Sequence, residues 1–175
     1  MFLWLLFYSP AHANIQVPIN KQLPNIITEI KNAPATFREE VLCLALNIYH
    51  EARGSSQIDQ AATAFVVLNR VKSPYYPNTI CEVVWQKGYS KAAKKWVGAF
   101  SWTTDRASNI PKELDAWDLS QKLAYRVFAA PGKTNDPTDG ATHYHEYRSK
   151  PNWSKYGVDK KRLGSHVYMK LKGIN

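Results

Sequence analysis

The chain has 175 residues, enough for one domain with a single core, and its 45% hydrophobic and 21% charged content is that of an ordinary globular protein, not of a disordered or fibrous one. The formal net charge of +9 attracts polyanions. No helix-turn-helix, zinc-finger or RNA-motif signature accompanies that charge, so no nucleic-acid partner is expected, and the chain is expected to be a monomer. Aromatic residues reach 13%, with six Trp and ten Tyr, and such amphipathic rings serve either a core or the lining of a sugar or peptide groove.

Residues 2–8 form a short apolar run, and Ala11-His12-Ala13 has the small-x-small form of a signal-peptidase site. A signal peptide is expected over residues 1–13; the run is too short to span a bilayer. A lead-in segment with one short helix (residues 25–31) follows, and the folded domain is expected over 36–175. Thr36-Phe37-Arg38-Glu39 fits a capping box, and Phe37, Val41, Leu44, Ala45 and Ile48 then recur at helical spacing up to the stop expected at Gly54. A second helix spans Gln57 to Lys72, almost without a polar face in its middle, as in a helix buried on most sides. Thr79-Ile80-Cys81-Glu82 offers another capping box. Residues 86–99, with Lys87, Lys91, Lys94 and Lys95, read as a solvated basic helix. A further helix spans Leu114 to Ala129, and residues 141–147 and 166–170 alternate as short strands. The sum is a mainly helical α+β domain with a small antiparallel sheet late in the chain. Cys43 and Cys81 form a bridge if the chain is exported and remain buried thiols if it is cytosolic.

Glu51 falls in the last turn of the first helix. A helix C-terminus and an apolar wall both disfavour a carboxylate anion and raise its pKa, which suits a general acid. The plainer reading is a surface carboxylate paired with Arg53. Asp105 and Glu113 are the candidates for a second carboxylate, as a hydrolytic glycosidase requires. His143 and His145 lie two apart and so share one side of a strand; with His166 they could form a three-histidine zinc site. His50-Glu51 does not extend to His-Glu-x-x-His, because Gly54 stands where the second histidine would be.

Six blocks in order carry a family resemblance: residues 47–54 (Asn-Ile-Tyr-His-Glu-Ala-Arg-Gly), 61–71, 76–86, Phe100-Ser101-Trp102, 136–145 followed by Trp153, and 164–168. Together they cover about residues 38–170, and the chain resembles the spore-cortex-lytic (SleB/CwlJ-like) family of cell wall hydrolases. The resemblance implies a lysozyme- or transglycosylase-like fold. It implies cleavage of peptidoglycan between N-acetylmuramic acid and N-acetylglucosamine, with Glu51 as the single catalytic acid and base and no cofactor. Phe100, Ser101, Trp102, His143, Tyr144, His145, Trp153 and His166 become the expected substrate-binding residues, Tyr144, Trp153 and Trp102 by stacking on sugar faces. Export to the periplasm or envelope is expected, or release during phage-driven lysis, and with export a Cys43–Cys81 bridge. The lysine-rich stretch before Phe100 is expected to hold the protein on anionic envelope polymers. Two other functions stay open from sequence: a zinc amidase or peptidase using His143, His145 and His166, and a non-catalytic wall-binding module.

Overall fold

The computed structural model describes residues 28–29, 32–91, 93–105, 108–129 and 134–173. The expected signal peptide and most of the lead-in segment lie outside these residues. Among the described residues, the helices with complete bounds are α1 (Ala35–Ala52), α2 (Gln57–Lys72), the short α3 (Ile80–Val84) and α4 (Leu114–Ala129). The strands are β1 (Lys87–Ser90), β2 (Lys95–Gly98), β3 (His143–Glu146), β4 (Gly157–Leu163) and β5 (His166–Leu171). Single 3₁₀ turns cover Ser101–Thr103 and Asn152–Tyr156.

α1 is the hub of the core. Val41, Leu44, Ala45, Leu46, Ile48 and Tyr49 are buried along it among side chains of the other three helices. Each aliphatic side chain removed from water in this way contributes about 1.5–3 kcal/mol. Trp117 of α4 is fully buried and meets Tyr49 edge-on, while Phe37 stacks on Phe128 at 5.2 Å. α2 serves two cores. Ala64, Phe65 and Val67 join the α1 cluster, and Ala62 and Val66 pack with Ala141 and Tyr168 of the sheet region. That double duty is why its sequence shows no polar face.

The three-stranded sheet is antiparallel with order β3-β5-β4. β4 has no counterpart in the sequence reading, because Asp159, Lys160, Lys161 and Arg162 disguise it; charges of this kind protect an exposed edge strand. Residues 86–99 form not the expected helix but an antiparallel hairpin, β1–β2. The lysines at 87, 91, 94 and 95 imitate a helical repeat, but Tyr89, Trp96 and Val97 favour strands, and Lys94 turns the chain with φ 50°. The capping box at Thr36 is likewise not formed: α1 starts one residue earlier, behind Pro34, with no side-chain cap. At Thr79 the hydroxyl does accept the Glu82 N–H at 3.2 Å. α1 ends at Ala52, and Gly54 follows in a turn without left-handed backbone.

Two ties hold the sheet against the helices. Asp136 accepts from the N–H groups of Thr138 and Gly140 and from Asn69 of α2, whose amide also reaches the Ala141 carbonyl at 3.0 Å, so the entry to β3 is fixed. At the other end Gly164, with φ +57°, lies so close to Asp59 that an added Cβ would sit 2.8 Å from its Oδ2. Cys43 of α1 and Cys81 of α3 are bridged, closing a loop of sequence separation 38. No helix among the described residues is long and apolar enough to cross a membrane.

Replacing both cysteines by serine should cost about 3–4 kcal/mol in a urea melt, by the chain-entropy argument for a loop of this length, and the unreduced denatured protein should show no free thiol. Gly164→Ala should cost about 1–3 kcal/mol from the left-handed backbone alone, more where Asp59 is displaced, read in the same melt.

Candidate functional site

Glu51 sits one residue before the end of α1, half-buried. Its Oε2 accepts a hydrogen bond of 2.9 Å from the hydroxyl of Tyr144 on β3. Tyr144 is packed by Tyr168 at 5.4 Å and by the edge of His166 at 5.2 Å. Burial pushes the Glu51 carboxyl above its ordinary value; the Tyr144 bond, then His166 and Arg70, pull it back only in part. Arg70 of α2 lies beneath the site, its Nε donating to the Thr142 carbonyl at 2.8 Å and its guanidinium over the rings of Phe100 and Tyr76 at 5.0 and 5.4 Å. Aromatic faces of this kind accommodate a buried cation.

A cavity of about 430 Å³ opens over Glu51. Tyr49, His50 and Arg53 of α1 and its end form one wall, Ser101, Trp102 and Asp105 a second, and Ser108, Ile110, Lys112 and Glu113 a third. Three side chains of α1 and its end bind the third wall. The Tyr49 hydroxyl accepts the N–H groups of Lys112 and Glu113 at 3.0 and 3.1 Å, His50 Nε2 donates to the Asn109 carbonyl at 3.2 Å, and Arg53 Nε pairs with Glu113 at 2.7 Å. The second wall is set by Trp102, whose indole donates to Asn47 at 3.2 Å and whose ring stacks on His50 at 4.5 Å. Burial holds His50 below its ordinary pKa, so at neutral pH it is an uncharged ring.

The family model for cell wall hydrolases matches residues 54–169. The chain belongs to the cell wall hydrolase family. It is 27% identical over 146 residues to a spore cortex-lytic enzyme of Halalkalibacterium halodurans, covering 81% of this chain and 38% of that protein. To a spore cortex-lytic enzyme of Bacillus subtilis it is 30% identical over 96 residues, 54% of this chain and 31% of the relative. The chain thus spans well under half the length of these curated relatives. Among solved structures it is similar to the catalytic domain of the germination-specific lytic transglycosylase SleB from Bacillus anthracis, with TM-score 0.57 and 24% identity over 79% of this chain and 98% of that one. It is also similar to the catalytic domain of Bacillus cereus SleB, with TM-score 0.53 and 24% identity over 76% and 91%. At these identities the likeness concerns the fold, which is the mainly helical α+β arrangement read from the sequence. Glu51 lies just upstream of the family match, within the block of residues 47–54.

Of the residues singled out by sequence, Glu51, Ser101 and Trp102 line the cavity, and Tyr144 contacts the Glu51 carboxyl directly. Asp105 and Glu113 also line it, and Arg53 pairs with Glu113, not with Glu51. Phe100 stands behind the cavity: it is 3% exposed and supports Arg70 and Tyr144, because the turn that presents Ser101 directs it inward. The three-histidine arrangement is not formed. The β3–β5 register puts His143 and His145 on one face of the sheet and Tyr144, Tyr168 and His166 on the other. His166 is buried, with Nδ1 against both oxygens of Asp59 at 3.0 and 3.1 Å. His143 and His145 instead flank Trp153, at 5.8 and 5.7 Å between ring centroids. Burial, then Arg70, pushes His143 down to about 4.

Sequence reasoning missed Asp59, Arg70 and Tyr49. For the first two a signal existed: a charged residue within a helix otherwise buried on all sides needs a buried partner or a site to serve. Tyr49 carries no such signal, since its ring belongs to the core and only its hydroxyl reaches the loop.

Tyr144→Phe removes the largest influence that lowers the Glu51 pKa while keeping the ring. The Glu51 carboxyl should then titrate at higher pH than in the parent, followed by carboxyl-resolved NMR; an unchanged or lower midpoint would show that the hydroxyl does not govern it.

Proposed function

We propose that this chain cleaves the glycan strands of peptidoglycan between N-acetylmuramic acid and N-acetylglucosamine as a lytic transglycosylase, with Glu51 as the single acid and base. The observation that carries the reading is a half-buried carboxyl of raised pKa, held by one tyrosine hydroxyl, at the floor of an open cavity. Membership of the cell wall hydrolase family and the names of the relatives support it.

The chemistry follows from what one such carboxyl can do. In its neutral form Glu51 gives its proton to the glycosidic oxygen as the bond from C1 of the muramic residue breaks. The new carboxylate stabilises the positive charge developing at C1, and the Tyr144 hydroxyl, already aimed at Oε2, strengthens as a donor once that oxygen is anionic. The carboxylate then takes the proton of the muramic C6 hydroxyl as O6 bonds to C1. The product is a 1,6-anhydro ring, Glu51 is neutral again, and no water is consumed. Asp105 and Glu113 would serve a hydrolytic variant of the reaction, with one of them activating water. The pairing of Glu113 with Arg53 keeps that carboxylate engaged and favours the anhydro route.

Ser101 and Trp102 shape the cavity wall for the sugar, while His143, His145 and Trp153 offer a second contact area on the far face of the sheet. The protein acts in the cell envelope, reached by export or in phage-driven lysis, a setting in which the Cys43–Cys81 bridge persists.

Glu51→Gln keeps the shape and removes the titratable proton. Muralytic turnover should fall by at least ~10²-fold with an unchanged melting curve. Mass spectrometry of the digest should show muropeptides lighter by one water than hydrolysis products. Retention of turnover in Glu51→Gln would exclude Glu51 as the acid, and products of full hydrolytic mass would replace the C6 hydroxyl by water as acceptor.

A further inference from the structure

The β1–β2 hairpin carries an exposed aromatic pair. Tyr89 and Trp96 are cross-strand partners, 56% and 55% exposed, with ring centroids 5.9 Å apart. The register sets Lys87 on the same face, and Lys91 and Lys94 follow in the turn.

The foot of this hairpin packs against the cavity wall. Trp85, immediately before Gln86 and β1, meets Trp102 edge-on at 5.1 Å. The Ala99 N–H donates to the Gln86 carbonyl at 2.8 Å, and the Gly98 N–H to the Thr104 hydroxyl at 3.3 Å. The foot of the hairpin is therefore continuous with the wall formed by Ser101 and Trp102.

We propose that this face is a distal subsite for the peptidoglycan strand, binding sugars several residues away from the bond at Glu51; the proposal rests on the glycan-cleaving reading above. The C–H faces of pyranose rings pack on exposed aromatic rings, and the carboxylates of the stem peptides find Lys87, Lys91 and Lys94 beside them. An anionic membrane is the other surface that Trp and Lys suit. The hairpin is built the wrong way round for it. Beyond the two rings its tip consists of Ser90, Lys91, Ala93, Lys94 and Lys95, with no large apolar side chain to insert.

The subsite adds affinity only when the substrate is long enough to span both places. The test compares long peptide-bearing glycan strands with fragments too short to leave the cavity. Tyr89→Val combined with Trp96→Val removes the rings and keeps strand-favouring residues; a second variant changes Lys87, Lys91 and Lys94 to Gln. Each should raise KM for long strands, by about tenfold for the ring variant, the scale of one good aromatic contact, with kcat retained. The preference for long over short substrate should shrink, and Trp96→Tyr should restore it. An unchanged preference in the ring variant overturns the subsite. So does an equal loss on both substrates, which marks the hairpin as a mere brace for the cavity wall. Loss of binding to phosphatidylglycerol vesicles with the long-strand preference intact assigns the face to membrane and overturns it as well. If the parent protein cleaves neither substrate, the glycan-cleaving reading falls, and the subsite with it.

Discussion

Asp59 has no exposed surface, and the position of everything above it depends on how its charge is satisfied. Burial pushes its carboxyl upward, yet His166, the Tyr168 hydroxyl and the Ser165 N–H outweigh that push and hold it below the usual carboxylate range. Asp59 belongs to the first turn of α2, whereas its donors lie in the β4–β5 turn and in β5. One anion thus clamps sheet to helix. Loss of a single partner leaves a buried charge uncompensated, which costs about 3–5 kcal/mol in comparable sites. β5 is the central strand, so its seating also places β3, and with it the Tyr144 hydroxyl. Gly164 is the residue that lets the turn approach closely enough.

Two carboxyls less than one helix apart in sequence are therefore driven in opposite directions by their surroundings. Asp59 receives several donors and stays ionised as a structural anchor. Glu51 receives one donor among the described residues, and desolvation prevails. Arg70 and His166 matter here as moderators. Each lowers the Glu51 carboxyl against the upward push of burial, and further donors would lower it more. In the proposed reaction the carboxyl acts first as acid and then as base, which calls for a pKa neither strongly raised nor strongly lowered.

The elements with one dominant periodicity were legible in the sequence. The second helix was read with the bounds it has, as was the helix from Leu114, and the place of Glu51 at the end of α1 followed from the apolar spacing before it. What failed did so for identifiable reasons. The lysines of 86–99 repeat at helical intervals, but that spacing has no apolar face behind it, and the hairpin is decided by Tyr89, Trp96 and the turn at Lys94. β4 is charged because it is an edge, so alternation was absent. In the site, the histidines were read as a group because their side-chain chemistry is alike; the pairing register, which sequence does not display, separates them. Phe100 and Trp102 share a three-residue segment yet differ in role, since a 3₁₀ turn directs adjacent side chains to different sides.

The cavity lies where a helix ends, and that location explains its rigidity. The last turn of α1 presents Tyr49, His50, Glu51 and Arg53 in succession, and each is occupied differently. Tyr49 fastens the loop that bears Lys112 and Glu113, His50 stacks on Trp102, and Arg53 holds Glu113. Of these four, Glu51 is the one that presents a carboxyl to the cavity, held by Tyr144. Its neighbours are thereby fixed by contacts that do not involve the substrate, so the geometry around the carboxyl exists before binding and need not be assembled by it. The ring contacts continue from His50 through Trp102 to Trp85 at the foot of the hairpin. On the proposed reading, a long strand that reaches both the cavity and the hairpin gains from both contacts.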